Sequence, residues 1–356
     1  MLTVDLKKIS LKFRFDAGTS RGVLTEKDTW FITLSDGDYT AIGECSPLRG
    51  LSSDDVPGYQ TLLKNIQNYL QENRITGWLK MQDDQKSFIQ QFPSIAFGLD
   101  SAFRNYAHKK TGLIFNNNFY NKAEAIPING LVWMGNYDFM LKQVDEKVSE
   151  GYTCIKIKVG ALDFGTECRL LEYIRNKYGF DEIELRLDAN GAFNPKEVFA
   201  KLEMLSRYKI HSIEQPVKPG NYEVMQQLSK EKIIPVALDE ELIGIHNTTE
   251  RRLLFQQIRP QYIILKPSLI GTFDSVTEWI ELAKEFGAGW WITSALESNI
   301  GLNAIAQFTA QFSPLKIKHG LGTGKLYYNN VRSPLVIKSG SLVYDPELSW
   351  DIESIN

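Results

Sequence analysis

Cys154-Ile155-Lys156-Ile157-Lys158-Val159 reads as a strand with two incompatible faces. At a period of two, Ile155, Ile157 and Val159 share one side while Lys156 and Lys158 share the other. Taken alone, Lys-x-Lys describes a half-solvated strand with its lysines in water. The flanking sequence argues against that. From Ile126 onward, candidate strands begin near residues 128 (Ile128 to Met134), 153 (Thr153 to Val159), 183, 211, 234, 261, 290 and 317, with helical stretches between them. Residues 274–286, for example, carry Val276, Ile280, Ala283 and Phe286 on one stripe. Eight such units over about 200 residues point to a (β/α)8-type barrel rather than an open doubly wound sheet. Strands of a closed parallel barrel have no solvated face, so the apolar side meets the helices and both ammonium groups point into the barrel mouth.

The next strands repeat the device. In Leu185-Arg186-Leu187-Asp188-Ala189-Asn190 the leucines face out and Arg186, Asp188 and Asn190 face in. Three further apolar runs end in Glu214, Asp239 and Lys266, so that ionisable residues recur from Asp188 at intervals of 26, 25 and 27 residues. Catalytic groups of barrels sit at the C-terminal ends of strands, where all of these fall. A single carboxylate at such a turn is more simply a helix cap. Three in a regular row instead predict a common site, and mutual repulsion calls for a cation held among Asp188, Glu214 and Asp239. An oxygen-only donor set suits octahedral Mg²⁺, with Mn²⁺ as a substitute, and leaves room for water or a substrate carboxylate. Adjacent ammonium groups in a partly dry site are expected to lower one another's pKa, which suits a lysine base. Lys266 lies across the mouth from Lys158. A metal flanked by two lysines fits proton abstraction next to a carboxylate, where negative charge develops on the carboxylate oxygens. None of His108, His211, His246 and His319 is expected to be the base; His319, near a late strand end, reads as structural.

The first 125 residues have a different pattern. Residues 2–15 alternate weakly, and residues 30–34 lead through Ser35-Asp36-Gly37-Asp38 into Tyr39 to Gly43, a strand, turn and strand. Helical spacing follows at 55–71 (Leu62, Ile66, Leu70) and 94–107 (Ile95, Leu99, Phe103). After Gly322-Thr323-Gly324 the chain becomes strand-like again at 335–338 and 342–344. The expected architecture is α/β: a modified TIM (β/α)7β barrel over 126–325, and an α+β N-terminal capping domain over 1–125 completed by the C-terminal tail, 326–356.

A hydrophobic content of 43% supports well-packed cores, and a net charge of −3 without a basic run excludes a polyanion-binding role. Nucleic acid is therefore not expected as a partner. No basic, apolar leader opens the chain and no apolar run approaches 18 residues, so neither membrane insertion nor secretion is expected and a cytoplasmic location is. Cys45, Cys154 and Cys168 have neither metal-ligand nor redox spacing and read as reduced, structural thiols. The oligomeric state is open.

The order Lys-x-Lys, Asp, Glu, Asp, Lys resembles the enolase superfamily, in particular its muconate-lactonizing subgroup. Within that subgroup the chain is most similar to the o-succinylbenzoate synthase family of menaquinone biosynthesis. The similarity rests on Thr19-Ser20-Arg21-Gly22, Gly130 to Gly135, Arg186-x-Asp188-Ala189-Asn190, Thr293 to Ser298 and Gly320 to Gly324. It implies a lyase acting on a small-molecule carboxylate, by syn-dehydration of 2-succinyl-6-hydroxy-2,4-cyclohexadiene-1-carboxylate. By the same resemblance Lys158 is the base and then the acid, Lys266 stabilises the enediolate, and Lys156 helps neutralise the carboxylate. Asp188, Glu214 and Asp239 bind Mg²⁺, Arg186 and Asn190 support metal and base, Ser294 and Gly322 line the succinyl pocket, and the loop of Arg21 closes over it. Dipeptide epimerases of the subgroup usually carry Asp-x-Asp where this chain reads Leu321-Gly322-Thr323-Gly324, which disfavours a substrate bearing an ammonium group. A racemase or epimerase acting on N-acylated amino acids nevertheless uses the same six residues. A Schiff-base aldolase built on Lys266 leaves the three carboxylates unexplained, and a metal-stabilised scaffold leaves the inward lysines unexplained.

Overall fold

The computed structural model describes residues 2–19, 22–352 and 355. The chain opens with a three-stranded antiparallel sheet of β1 (Thr3–Thr19), β2 (Gly22–Ser35) and β3 (Thr40–Cys45). The Ser35 to Asp38 turn behaves as its residues require. Gly37 takes φ +100°, and the Asp36 carboxylate accepts from the backbone N–H of Asp38 and Tyr39 at 3.2 and 3.0 Å. The weak alternation at 2–15 turns out to be one arm of a long β1–β2 hairpin whose register shifts between Lys12 and Ala17.

The helix Tyr59–Glu72 begins four residues later than its periodicity suggests and buries Tyr59, Leu63, Ile66 and Leu70, with Leu62 at the edge of the stripe. The helix Pro93–His108 lies directly on β3. Two facing glycines permit this approach, since a Cβ at Gly43 would fall 1.9 Å from the carbonyl oxygen of Gly98.

The second half forms a curled, wholly parallel sheet in the order β11-β10-β9-β8-β7-β6-β5. Its strands are β5 (Gly130–Val132), β6 (Cys154–Lys158), β7 (Glu184–Asp188), β8 (Ser212–Glu214), β9 (Val236–Leu238), β10 (Tyr262–Leu265) and β11 (Gly289–Ile292), preceded by the short β4 (Ile126–Pro127). Helices follow the strands, and the outward Ile155, Ile157, Leu185 and Leu187 share one core with Leu170 and Ile174 of the helix Phe164–Lys177. The alternation seen at 154–159 is therefore real, and neither of its faces is solvated.

The eighth strand expected near 317 is reduced to two residues. His319 bridges Ile128 and Gly320 bridges Thr293, both in parallel, and these link the two edges of the sheet. The N–H of His319 donates to Pro127 O at 2.9 Å and that of Gly320 to Ile292 O at 2.8 Å. The glycine-rich run after His319 has little to keep it extended. Beyond it, Leu326 O accepts from the N–H of Arg14 and the N–H of Tyr328 donates to Lys12 O, each at 2.9 Å. The hairpin β12 (Leu335–Lys338) and β13 (Ser341–Tyr344) then adds to β4 through Leu342 and Ile126. Among the described residues no helix is long and apolar enough to cross a membrane.

His319 sits at the seam with no solvent exposure, and its Nδ1 accepts from the N–H of Ile292 at 3.1 Å. Burial, with Arg186 adding to it, pushes its pKa down from 6.5 to about 3, the hydrogen bond from Ile292 opposing. The unfolded chain therefore binds one more proton than the folded chain between those values, so this site costs stability progressively as pH falls below 6.5. In urea titrations between pH 7 and 4, His319→Gln should flatten the dependence by up to about 1.4 kcal/mol per pH unit relative to the parent chain. Parallel pH curves for the two proteins would contradict this.

Candidate active site

Parallel register sets the functional side chains on one level. Lys158 pairs with Asp188, Asp188 with Glu214, and Glu214 with Ala237, two residues short of Asp239. All six expected groups are buried or nearly so, at the C-terminal ends of β6 to β10. Lys156 Nζ donates to Asp188 Oδ2 at 3.0 Å and to Glu214 Oε1 and Oε2 at 3.2 and 3.1 Å. Lys158 Nζ donates to the same Asp188 oxygen at 3.2 Å and to Asn190 Oδ1 at 2.6 Å. Lys266 is ion-paired with Asp239. The positive charge that holds the row together in this structure is thus three ammonium groups. Among the described residues no three acidic, His or Cys groups are grouped as a metal site.

Lys156 does not behave as its adjacency to another lysine predicts. Burial would lower the pKa of Lys156, but Asp188, Glu214 and Asp239 outweigh burial and raise it. Lys266 is likewise raised by Asp239 and Glu214 against the effect of burial. The expectation of mutually lowered ammonium pKa values fails for Lys156 because its close neighbours are carboxylates. Asp188 is held well below the usual carboxylate range, since Lys156, Lys158 and Lys266 overcome its burial. Asp239 is pushed up to about 6 by burial, with Glu214 and Asp188 adding to it and Lys266 opposing. Three carboxylates at neighbouring strand ends form an oxygen-only donor set, which suits a hard divalent cation.

A cavity of about 820 Å³ opens above the cluster. Lys156, Lys158, Asp188, Asn190 and Lys266 form its floor, whereas Glu214 and Asp239 lie outside its lining. Ser294 and Gly322 line it as expected, but the Ser294 hydroxyl is already committed: it donates to Glu297 and accepts from Thr323 Oγ1 at 2.9 Å and from the N–H of Leu296 at 3.1 Å. Arg186 is not in the cavity. Its guanidinium donates to Glu184 and to Lys318 O and stacks on Trp291 at 4.2 Å, inside the sheet below the carboxylates. The inward direction read from Arg186 is correct, but although it is in register with Lys156 its guanidinium turns back to Glu184 and Lys318 O instead of reaching the cavity. Arg21 lies outside the described residues.

The roof comes from the N-terminal half, where the sequence suggested only the loop of Arg21 and not the apolar side chains that form it. Phe15, Leu24, Leu48 and Leu51 face Trp133 and Leu296 across the cavity. A buried polar network fixes this roof to the floor. Glu44 of β3 accepts from Thr29 Oγ1 at 2.8 Å, from the Ser298 N–H and hydroxyl at 2.9 and 2.5 Å, and from the Gly301 N–H at 2.8 Å. It therefore holds the N-terminus of the helix Asn299–Thr309, where the helix dipole favours an anion. Glu297 beside it accepts from the hydroxyls of Ser268 and Ser294, which joins the short helix Pro267–Ile270 after Lys266 to the cavity wall. An apolar strand end that contains Glu44 was the only sequence signal of this role.

A parallel sheet with carboxylates and lysines gathered at its strand ends, beneath an antiparallel cap, defines a TIM-barrel-like enzyme. Residues 140–347 match the family model described as Enolase C-terminal domain-like, and residues 11–106 match that described as MenC, N-terminal domain. The chain is 40% identical to the o-succinylbenzoate synthase of Desulfotalea psychrophila over 96% of its own length and 98% of the relative's. The crystal structure of MenC from that organism superposes with a TM-score of 0.83 at 38% identity, covering 96% of this chain and 99% of that one. The muconate lactonizing enzyme of Pseudomonas fluorescens gives the same TM-score at 18% identity, covering 99% and 97%, a likeness of fold. The chain belongs to the enolase superfamily and, within it, to the o-succinylbenzoate synthase family of lyases.

Glu44 is fully buried and accepts from four donors, so Glu44→Ala leaves several buried donors unmatched. It should lower unfolding free energy by at least about 3 kcal/mol in urea, with Glu44→Gln, which keeps an acceptor oxygen, costing clearly less. Equal effects of the two substitutions would mean that the acceptor role is not what matters.

Proposed function

We propose that this chain is an o-succinylbenzoate synthase, converting 2-succinyl-6-hydroxy-2,4-cyclohexadiene-1-carboxylate and releasing water. The reading is carried by Lys158 and Lys266, both on the floor of one cavity and each bound to a different carboxylate of the row. It is supported by 40% identity to a synthase over nearly the whole chain. Lys158, as the neutral amine, takes the proton from the ring carbon bearing the carboxylate. The electron pair left behind is delocalised onto the carboxylate oxygens, giving an enediolate. Lys266 remains a cation facing the ring and stabilises that charge, and its raised pKa suits a group that never gives up its proton. Lys158, now an ammonium, returns a proton to the departing hydroxyl on the same face, so the group lost is water and the ring becomes aromatic. Lys156 compensates the carboxylates beneath the substrate.

Asp188, Glu214 and Asp239 are the residues that would hold Mg²⁺, or Mn²⁺ in its place. When bound, the ion supplies Lewis-acid polarisation of the substrate carboxylate. Ser294 and Gly322 would bound the succinyl arm, and Arg21 would cover it. Asn190 orients Lys158, while Arg186 supports the site from below. The sheet is then a modified (β/α)7β barrel over 126–325, with residues 1–125 and 326–356 as its cap, working in the cytoplasm.

The racemase or epimerase reading uses the two lysines as opposed bases on N-acylated amino acids. The glycines at 322 and 324, where an ammonium-binding acid pair would stand, favour the dehydratase. With Mg²⁺ present, the chain should dehydrate the cyclohexadiene acid; EDTA should abolish turnover, and Lys158→Ala should cut kcat by about 10²–10⁴-fold. Solvent deuterium exchange into N-acylamino acids without any dehydration would reject the synthase reading.

A further inference from the structure

Asn190 stands between two groups of opposite hydrogen-bonding character. Its Oδ1 accepts from Lys158 Nζ at 2.6 Å, and its Nδ2 donates to Glu240 Oε1 at 2.9 Å. A lysine that keeps its lone pair for the substrate offers only N–H to the amide, and an ionised carboxylate can only accept, so only one of the two amide orientations serves both neighbours. The backbone fixes the rest of the residue. Asn190 takes φ +44°, a left-handed conformation that asparagine tolerates, and its N–H donates to Asp188 Oδ1 at 3.2 Å. Glu240 directly follows Asp239 and opens the short 3-10 turn Glu240–Leu242. It is buried but takes no part in the cavity lining, so it reaches the reacting atoms only through another residue.

We propose that Glu240 is a positioning residue that locks the amide of Asn190 and thereby aims Lys158. This rests on the reading of Lys158 as the proton-transfer group. With the amide reversed, an NH₂ group would face the ammonium, and Lys158 would keep only Asp188 as its partner in the cluster. A lysine stem has four rotatable bonds, so losing one of two anchors frees its tip, and small misplacements of a reacting group are costly in rate.

The test is a double-mutant cycle on the full chain with Mg²⁺ and the cyclohexadiene acid, reading kcat, KM and calorimetric affinity for o-succinylbenzoate. Glu240→Leu, which removes the acceptor, should lower kcat about tenfold or more while KM and product affinity stay within about twofold. In an Asn190→Ala background the same substitution should change kcat by less than about twofold. A second arm exchanges the two chemistries: Asn190→Asp alone should lose activity, and adding Glu240→Gln should recover much of it. The introduced glutamine amide can donate to the new carboxylate while that carboxylate accepts from Lys158. The exchanged pair keeps the net charge and decides the question even where a single variant does not fold. An undiminished Glu240→Leu effect without Asn190, a change confined to KM, or no rescue by the exchange would overturn the proposal. An unsubstituted chain that fails to dehydrate the acid would instead overturn the functional reading beneath it.

Discussion

Six ionisable side chains, buried or nearly so, face one another toward the strand ends of a parallel sheet. Each would be expensive to bury alone, and the structure tolerates them because lysine and carboxylate alternate at hydrogen-bond distance. The compensation is uneven. Asp188 touches two lysines and is held well below the usual carboxylate range, while burial pushes Asp239, paired with Lys266, up to about 6. On the proposed function, an added divalent ion leaves the site with a positive excess that a dicarboxylate substrate then offsets.

The cap depends on the same constraint. A cluster of this kind is reactive only if water is kept out, and Phe15, Leu24, Leu48 and Leu51 form the cover. Their placement depends on Glu44, whose carboxylate spans 254 residues of sequence to hold the first turn of a helix in the other half of the chain. The tail adds to this clasp: Leu326 and Tyr328 hydrogen-bond to β1, and Tyr327 packs on Phe13 at 4.7 Å.

The site was legible in the sequence wherever strand periodicity alone decides direction and level. Lys158, Asp188, Glu214, Asp239 and Lys266 stand at successive strand ends, so their spacing carried the geometry. Arg186 shows the limit of that reasoning, because period-two alternation gives a side but not a depth. The raised pKa of Lys156 was not legible either, since it depends on distances between strands rather than order along one. Contacts that join distant segments through ordinary residue types, such as Glu44 with Ser298 or Phe15 with Trp133, leave no local pattern. The eighth strand was overcalled because glycines break the run that follows His319.

The central claim is that these carboxylates hold one cation beneath a ring flanked by two lysines. Anomalous diffraction from crystals grown with Mn²⁺ and o-succinylbenzoate tests it most directly. The account predicts a single manganese peak bonded to Asp188, Glu214 and Asp239, with Lys158 and Lys266 on opposite faces of the product ring. Manganese bound elsewhere, or both lysines on one face, would contradict it.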